Sequence, residues 1–195
     1  MSLLSETLVD EWLNRQGFLT MRGIKNAGVD EIDLLGVRPT DVGLEAWHVE
    51  AQISFNPVGY VTQLCKAEQK RAQRKAGSAV RRDKAILLES VEEWLHKKFD
   101  SPKKVRLREK VWPNLSWQRV FVYGVLRHPE ELEIMESRGI TLVPFRKVLE
   151  YLNAGKGITG ASGTDISDII RYFGSPLHEH LYALSKDRVG ARSTI

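Results

Sequence analysis

The sequence predicts a mixed α/β (α+β) domain with helices flanking a central mixed sheet, and three observations carry that expectation. Glu45 to Phe55 alternates, with Trp47, Val49, Ala51 and Ile53 on one face and His48, Glu50 and Gln52 on the other, as a half-buried strand does. Val120 to Leu126 is almost continuously apolar, the mark of a strand buried on both faces. Stretches with helical spacing precede, separate and follow these two.

Ser5 precedes Leu8, Val9, Trp12 and Leu13, which share one helical face, and Gly17 supplies the stop. Phe18 to Ile24 and Glu31 to Val37 read as strands with Asn26 to Gly28 as the turn between them, and Pro39 to Gly43 turns the chain into the alternating strand. Helical propensity runs from Val61 to Ala76 and again from Val80 to Phe99, with Gly77 between. After the apolar strand come a helix begun by Pro129, a short strand from Ile140 to Val143, and a helix from Phe145 to Asn153. Thr164 caps a last amphipathic helix carrying Ile166, Ile169, Ile170 and Phe173, and Ser185 to Ile195 is a polar tail. The core order is αβββαβ.

The 195 residues suit one main domain over 1–153, a glycine-rich linker over 154–163 and a helical appendage over 164–195. Hydrophobic residues are 42% and charged residues 28%, an ordinary globular balance that excludes disordered and fibrous classes. Cys65 is the single cysteine, which excludes an internal disulfide and a thiolate zinc site and suits a reducing compartment. The start of the chain lacks a basic stretch before an apolar run, and no apolar run reaches the ~18 residues of a membrane span. A cytoplasmic protein is expected.

The formal net charge is +4, but the charge is concentrated. Lys66, Lys70, Arg71, Arg74, Lys75, Arg81, Arg82 and Lys84 face only Glu68 and Asp83 in their segment, and Lys103, Lys104, Arg106, Arg108 and Lys110 form a second run. Lys66, Lys70 and Arg74 recur every four residues, so on one helix they would line a single face suited to phosphates. A solvated helical surface is the competing interpretation.

Asp33 and Glu50 sit among apolar neighbours within predicted strands, where an unpartnered charge is costly. If those strands are adjacent and antiparallel, both carboxylates reach one hard cation, which would lower the pKa of an attacking water and stabilise a phosphoryl transition state. Gly28 to Gly36, including Asp33, followed by His48-Val-Glu50-Ala-Gln52, resembles the signature of the PD-(D/E)XK nucleases. Residues 5 to 150 follow that family's element order, and their N-terminal part is similar to archaeal-type Holliday junction resolvases.

The resemblance implies a restriction-endonuclease-like fold in which Asp33 and Glu50 bind Mg²⁺ or Mn²⁺ and the Ala51 carbonyl adds a ligand. It also implies that a carboxylate of the first helix, Glu6 with Glu11 as competitor, assists through water. Gln52 stands where the family carries lysine, and a neutral amide orients water only by hydrogen bonds. Lys66 or Lys70, on the helix expected next, is the expected substitute, and His48 is a nearby base or hydrogen-bond donor.

The expected function is a metal-dependent DNA endonuclease of repair or restriction type, acting on duplex or branched DNA, with Lys66, Lys70, Arg71, Arg74, Lys75, Arg81 and Arg82 on the backbone. A nucleic-acid-binding protein without cleavage is the alternative. Dimers are common in such families, so a homodimer is an implied partner. His178 and His180 read as surface residues, residues 155–163 as a linker without a phosphate-loop pattern, Trp112 and Trp117 as packed beside the following strand, and Cys65 as an inert buried thiol.

Overall fold

The structure, a computed structural model, describes residues 3–25, 31–54 and 56–158. The turn at 26–28, the last helix, the histidines at 178 and 180 and the polar tail lie outside them.

The elements follow the expected order with one addition. They are α1 (Leu3–Arg15), β1 (Leu19–Lys25), β2 (Glu31–Thr40), β3 (Gly43–Gln52), α2 (Lys66–Arg71), α3 (Lys84–Leu95), a π-helical turn (His96–Asp100), α4 (Pro102–Val111), β4 (Trp117–Tyr123), α5 (Glu130–Ser137), β5 (Thr141–Pro144) and α6 (Phe145–Asn153). The strands form one mixed sheet in the order β1-β2-β3-β4-β5. β1–β2 and β2–β3 are antiparallel, as short turns require, while β3–β4 and β4–β5 are parallel and joined by helical crossovers.

Helices cover both faces. Leu8, Val9, Trp12 and Leu13 of α1 and Val148 and Leu152 of α6 pack on Leu34, Val49, Ala51, Val120 and Val122. On the other face Val91, Trp94 and Leu95 of α3, Phe99 of the π turn and Met135 of α5 close over Phe121. Leu107 of α4 extends this layer over Ile32 and Leu35. The alternation of β3 is therefore real: Trp47, Val49, Ala51 and Ile53 meet the α1/α6 core, while His48 and Glu50 are buried under the π turn and α4.

Three expectations need correction. The helix expected over Val61 to Ala76 shrinks to α2, and the residues ahead of it are held by side chains instead: the buried Glu131 carboxylate accepts Thr62 N–H at 3.1 Å and Thr62 Oγ1–H at 2.9 Å as well as Val61 N–H. The carbonyls that a helix would use are taken by side chains, Thr62 O accepting Arg82 at 2.9 Å and Val61 O accepting Gln52 Nε2 at 3.4 Å, and Gln73, at φ 50°, lies just beyond the end of α2. The second helix starts late, at Lys84, where the Asp83 side chain accepts Ile86 N–H at 2.9 Å. It then runs through the π turn, and α4 follows as an additional helix with Ser101 capping and Pro102 in its first turn. A Ser-Pro pair in those roles is a sequence signal for a helix start.

Gly17 takes φ 84° as the stop after α1. Residues 155–158, expected as linker, dock back on that helix end: Ile158 N–H reaches Arg15 O at 3.0 Å, and a Cβ at Gly157 would stand 2.1 Å from the same oxygen. Among the described residues no helix is long and apolar enough to cross a membrane.

Candidate active site

β2 and β3 fork at the site. Their pairing runs from Thr40↔Gly43 to Leu34↔Val49, and at the next step the Asp33 side chain replaces the ladder, Oδ2 accepting Ala51 N–H at 2.9 Å. On β3 the Gln52 carbonyl faces β4, accepting Gly124 N–H. Carbonyls alternate along a strand and each lies on the side of its own N–H, so Ala51 O points toward β2 and Asp33.

Glu50 is 1% exposed and wholly engaged. Its Oε2 accepts Lys98 Nζ at 2.7 Å, and its Oε1 accepts the Lys104 ammonium together with His48 Nε2 at 3.1 Å. His48 Nδ1 lies 2.6 Å from the Arg108 guanidinium, which also donates to Phe99 O at 2.7 Å. Arg108 can only donate, so Nδ1 is the acceptor and the proton of the neutral ring sits on Nε2, aimed at Glu50.

The charges follow from this wiring. Burial alone would raise the Glu50 carboxyl, but the His48 hydrogen bond and the two ammonium groups outweigh it and hold the pKa at about 2. Burial lowers His48 to about 4, with Arg108 and Lys104 opposing the charge that Glu50 favours. Asp33 moves the other way: burial, reinforced by the Glu50 charge, pushes it to about 7. Lys98 is raised, the Glu50 and Asp33 charges outweighing the burial that opposes its own. Two carboxylates in one site thus sit on opposite sides of their ordinary range.

The structure brings Asp33, Glu50 and the Ala51 backbone together, and the Glu6 charge also bears on Asp33. The competitor Glu11 is engaged elsewhere, with Arg15 at 2.7 Å. Gln52 reaches the Val61 carbonyl at 3.4 Å. His48 is a donor rather than a base, because its second nitrogen is covered by Arg108.

The ammonium partners of Glu50 come from the π turn and α4, which corrects the expectation for Lys66 and Lys70; both of these are exposed on α2. The basic face expected from Lys66, Lys70 and Arg74 also fails, since α2 ends at Arg71. Arg71 pairs with Glu68 at 2.6 Å, and Arg81 stands 4.0 Å from Glu130. Arg82 is buried, donating to Thr62 Oγ1 at 2.8 Å and Thr62 O at 2.9 Å and lying 4.1 Å from the Tyr60 ring centroid, so its work is internal. Arg74 and Lys75 are exposed. Trp112 is 43% exposed rather than packed, whereas Trp117 is partly buried against the Ile32, Leu35 and Leu107 cluster.

Lys98, Lys104 and Arg108 were missed as site residues, although α4 carries a signal for two of them. Lys104, Leu107, Arg108 and Val111 share one helical face, and cations on an apolar stripe must find buried anions.

Among the described residues no three His, Cys, Asp or Glu side chains are placed to hold a metal ion together. Two carboxylates beside a backbone carbonyl nevertheless match what Mg²⁺ takes from proteins, since it keeps several waters. Asp33 supports the fit: a buried carboxyl pushed up to about 7 by burial and neighbouring negative charge gains from a divalent cation.

No protein-family model and no curated protein matches this sequence. Among solved structures it is similar to the crystal structure of a protein of unknown function, AF1548, at 17% identity and TM-score 0.37. The match covers 75% of this chain and 65% of that one, so this chain spans about two thirds of the other's length. A likeness this remote carries no functional argument.

Proposed function

We propose that this chain is a metal-dependent nuclease that hydrolyses DNA phosphodiester bonds, with Asp33, Glu50 and the Ala51 carbonyl holding Mg²⁺ or Mn²⁺. The observation that carries the proposal is Lys98 Nζ, 2.7 Å from Glu50 Oε2, in a site whose second carboxylate comes from the adjacent strand. Lys98 supplies the ammonium group that Gln52 cannot. Its side chain is 25% exposed, so the charge lies where both water and a substrate phosphate can meet it.

Bound Mg²⁺ would activate a water and stabilise charge on the phosphoryl oxygens. His48, neutral and fixed by Arg108, orients Glu50 through Nε2–H, and Lys104 neutralises that carboxylate from the buried side.

The outer face of α4 fits the nucleic-acid backbone. Lys103, Arg106 and Lys110 are exposed, with Lys97 exposed on the π turn, while the inner face of the same helix delivers Lys104 and Arg108 to the site. Replacing Lys103, Arg106 and Lys110 together by glutamine is expected to weaken DNA binding without regard to sequence. The slope of log affinity against log salt should fall by about 2–3, close to one per phosphate contact. Fluorescence anisotropy over a salt series measures it, and an unchanged slope would remove α4 from the interface.

The deciding experiment is cleavage of labelled linear, nicked and four-way-junction DNA with Mg²⁺ or Mn²⁺. Wild type is expected to cut and Asp33→Asn to bind without cutting. The competing interpretation, a nucleic-acid-binding protein without cleavage, is favoured by the ammonium groups that already occupy both Glu50 oxygens. Binding of all three DNAs by wild type without cleavage would select it.

A further inference from the structure

We infer that Lys98 and the divalent cation are alternative occupants of Glu50 Oε2, so that the metal enters by displacing the Lys98 ammonium. The inference rests on the metal site proposed above and deepens it.

The two lysines on Glu50 are not equivalent. Lys104 is 3% exposed and shares Oε1 with His48 Nε2, which fills that oxygen's two lone-pair directions with buried donors. Neither donor can leave without losing its partner inside the protein. Lys98 takes Oε2, is 25% exposed and sits on the π turn, so its ammonium can exchange Glu50 for water by rotating its own side chain. Helical turns of this rare kind are frequent at functional sites.

The exchange follows from distance and charge. Mg²⁺ binds carboxylate oxygens at about 2.1 Å, and an ammonium 2.7 Å from the same Oε2 would then stand close to a dication. Cations that close repel in a poorly solvated site. Asp33, whose ionised form the Lys98 charge also favours, is the second carboxylate of the site. Without metal, Lys98 therefore serves as the internal counter-ion of Glu50. With metal, its ammonium is released on the solvent-exposed side of Lys98, where a substrate phosphate can take it up.

The test is calorimetric titration of the metal-free 195-residue chain with Mn²⁺. Lys98→Met is expected to bind about tenfold tighter than wild type, because no ion pair has to be broken. Lys98→Arg is expected to stay near wild type, and Lys98→Gln, which keeps a neutral donor to Oε2, to fall between. Lys97→Met removes a neighbouring exposed charge and is expected to change affinity by no more than roughly twofold. If wild type binds Mn²⁺ and Lys98→Met and Lys98→Gln bind it equally or more weakly, the exchange is wrong and Lys98 coexists with the metal. Equal tightening in Lys97→Met would also overturn it, by showing a general field effect. If no variant and no wild type binds Mn²⁺, the metal site itself fails and the exchange with it.

Discussion

Glu50→Gln is expected to unfold at a markedly lower urea concentration than wild type, losing about 3–5 kcal/mol at neutral pH. Glu50 is the counter-ion of both Lys98 and Lys104, and Lys104 is 3% exposed. Glutamine keeps the shape but removes the charge, leaving a buried ammonium without an anion, a larger penalty than the net worth of the original pair. The midpoint should fall with the m-value unchanged. The double variant Glu50→Gln/Lys104→Met should recover much of the loss, since no charge is then stranded on the buried side. A midpoint equal to wild type would mean that the buried network does not stabilise the fold.

The same wiring sets the acid limb. The folded-state pKa of Glu50, about 2, lies below its ordinary 4.5, so its contribution is fully present above pH 4.5 and is lost as pH falls toward 2. His48 is held neutral, near 4 against 6.5, so protons favour the unfolded chain as pH falls from 6.5 to 4. Loss of cleavage in a Glu50 variant would consequently mix lost chemistry with lost fold. Asp33, which carries no such ion pair, is the cleaner position for a test of activity.

Much of this site was legible because strands write themselves with a period of two. Glu50 and His48 stand out on the polar face of an alternating strand, and Asp33 stands out as an acid among Ile32, Leu34 and Leu35. The β2–β3 pairing follows from the short turn. What could not be read is long-range: Lys98 and Lys104 lie 48 and 54 residues beyond Glu50, and no local rule connects them to it. Arg82 misled for the same reason. Within a run of cations its charge looked solvated, and its burial depends on Thr62, held in turn by Glu131 of α5. Local propensity also overstated the helix after β3, where Gln52 and Arg82 take the carbonyls of Val61 and Thr62 that a helical ladder would need.

Asp33→Asn is expected to do the reverse of Glu50→Gln and stabilise the metal-free protein at alkaline pH. The Asp33 carboxyl is raised from 3.8 to about 7, so between those values the folded state holds more of its proton than the unfolded chain. Stability must then fall as pH rises through that window and level off above it. The amide variant has no such proton, and its side-chain oxygen can still accept Ala51 N–H. Its advantage should be small near pH 4 and grow to on the order of 2–4 kcal/mol at pH 8, the upper figure being the full shift at about 1.4 kcal/mol per unit. Mg²⁺ should narrow the gap, because a ligand that binds only the folded wild type adds stability that the variant cannot gain. Urea denaturation at pH 5 and pH 8, with and without Mg²⁺, separates these terms. A gap that grows with pH and closes with Mg²⁺ would identify Asp33 as a carboxylate kept at a cost to folding for the sake of a cation. A gap that grows with pH and ignores Mg²⁺ would leave a buried acid without a metal, and metal-dependent hydrolysis at this site would fail with it.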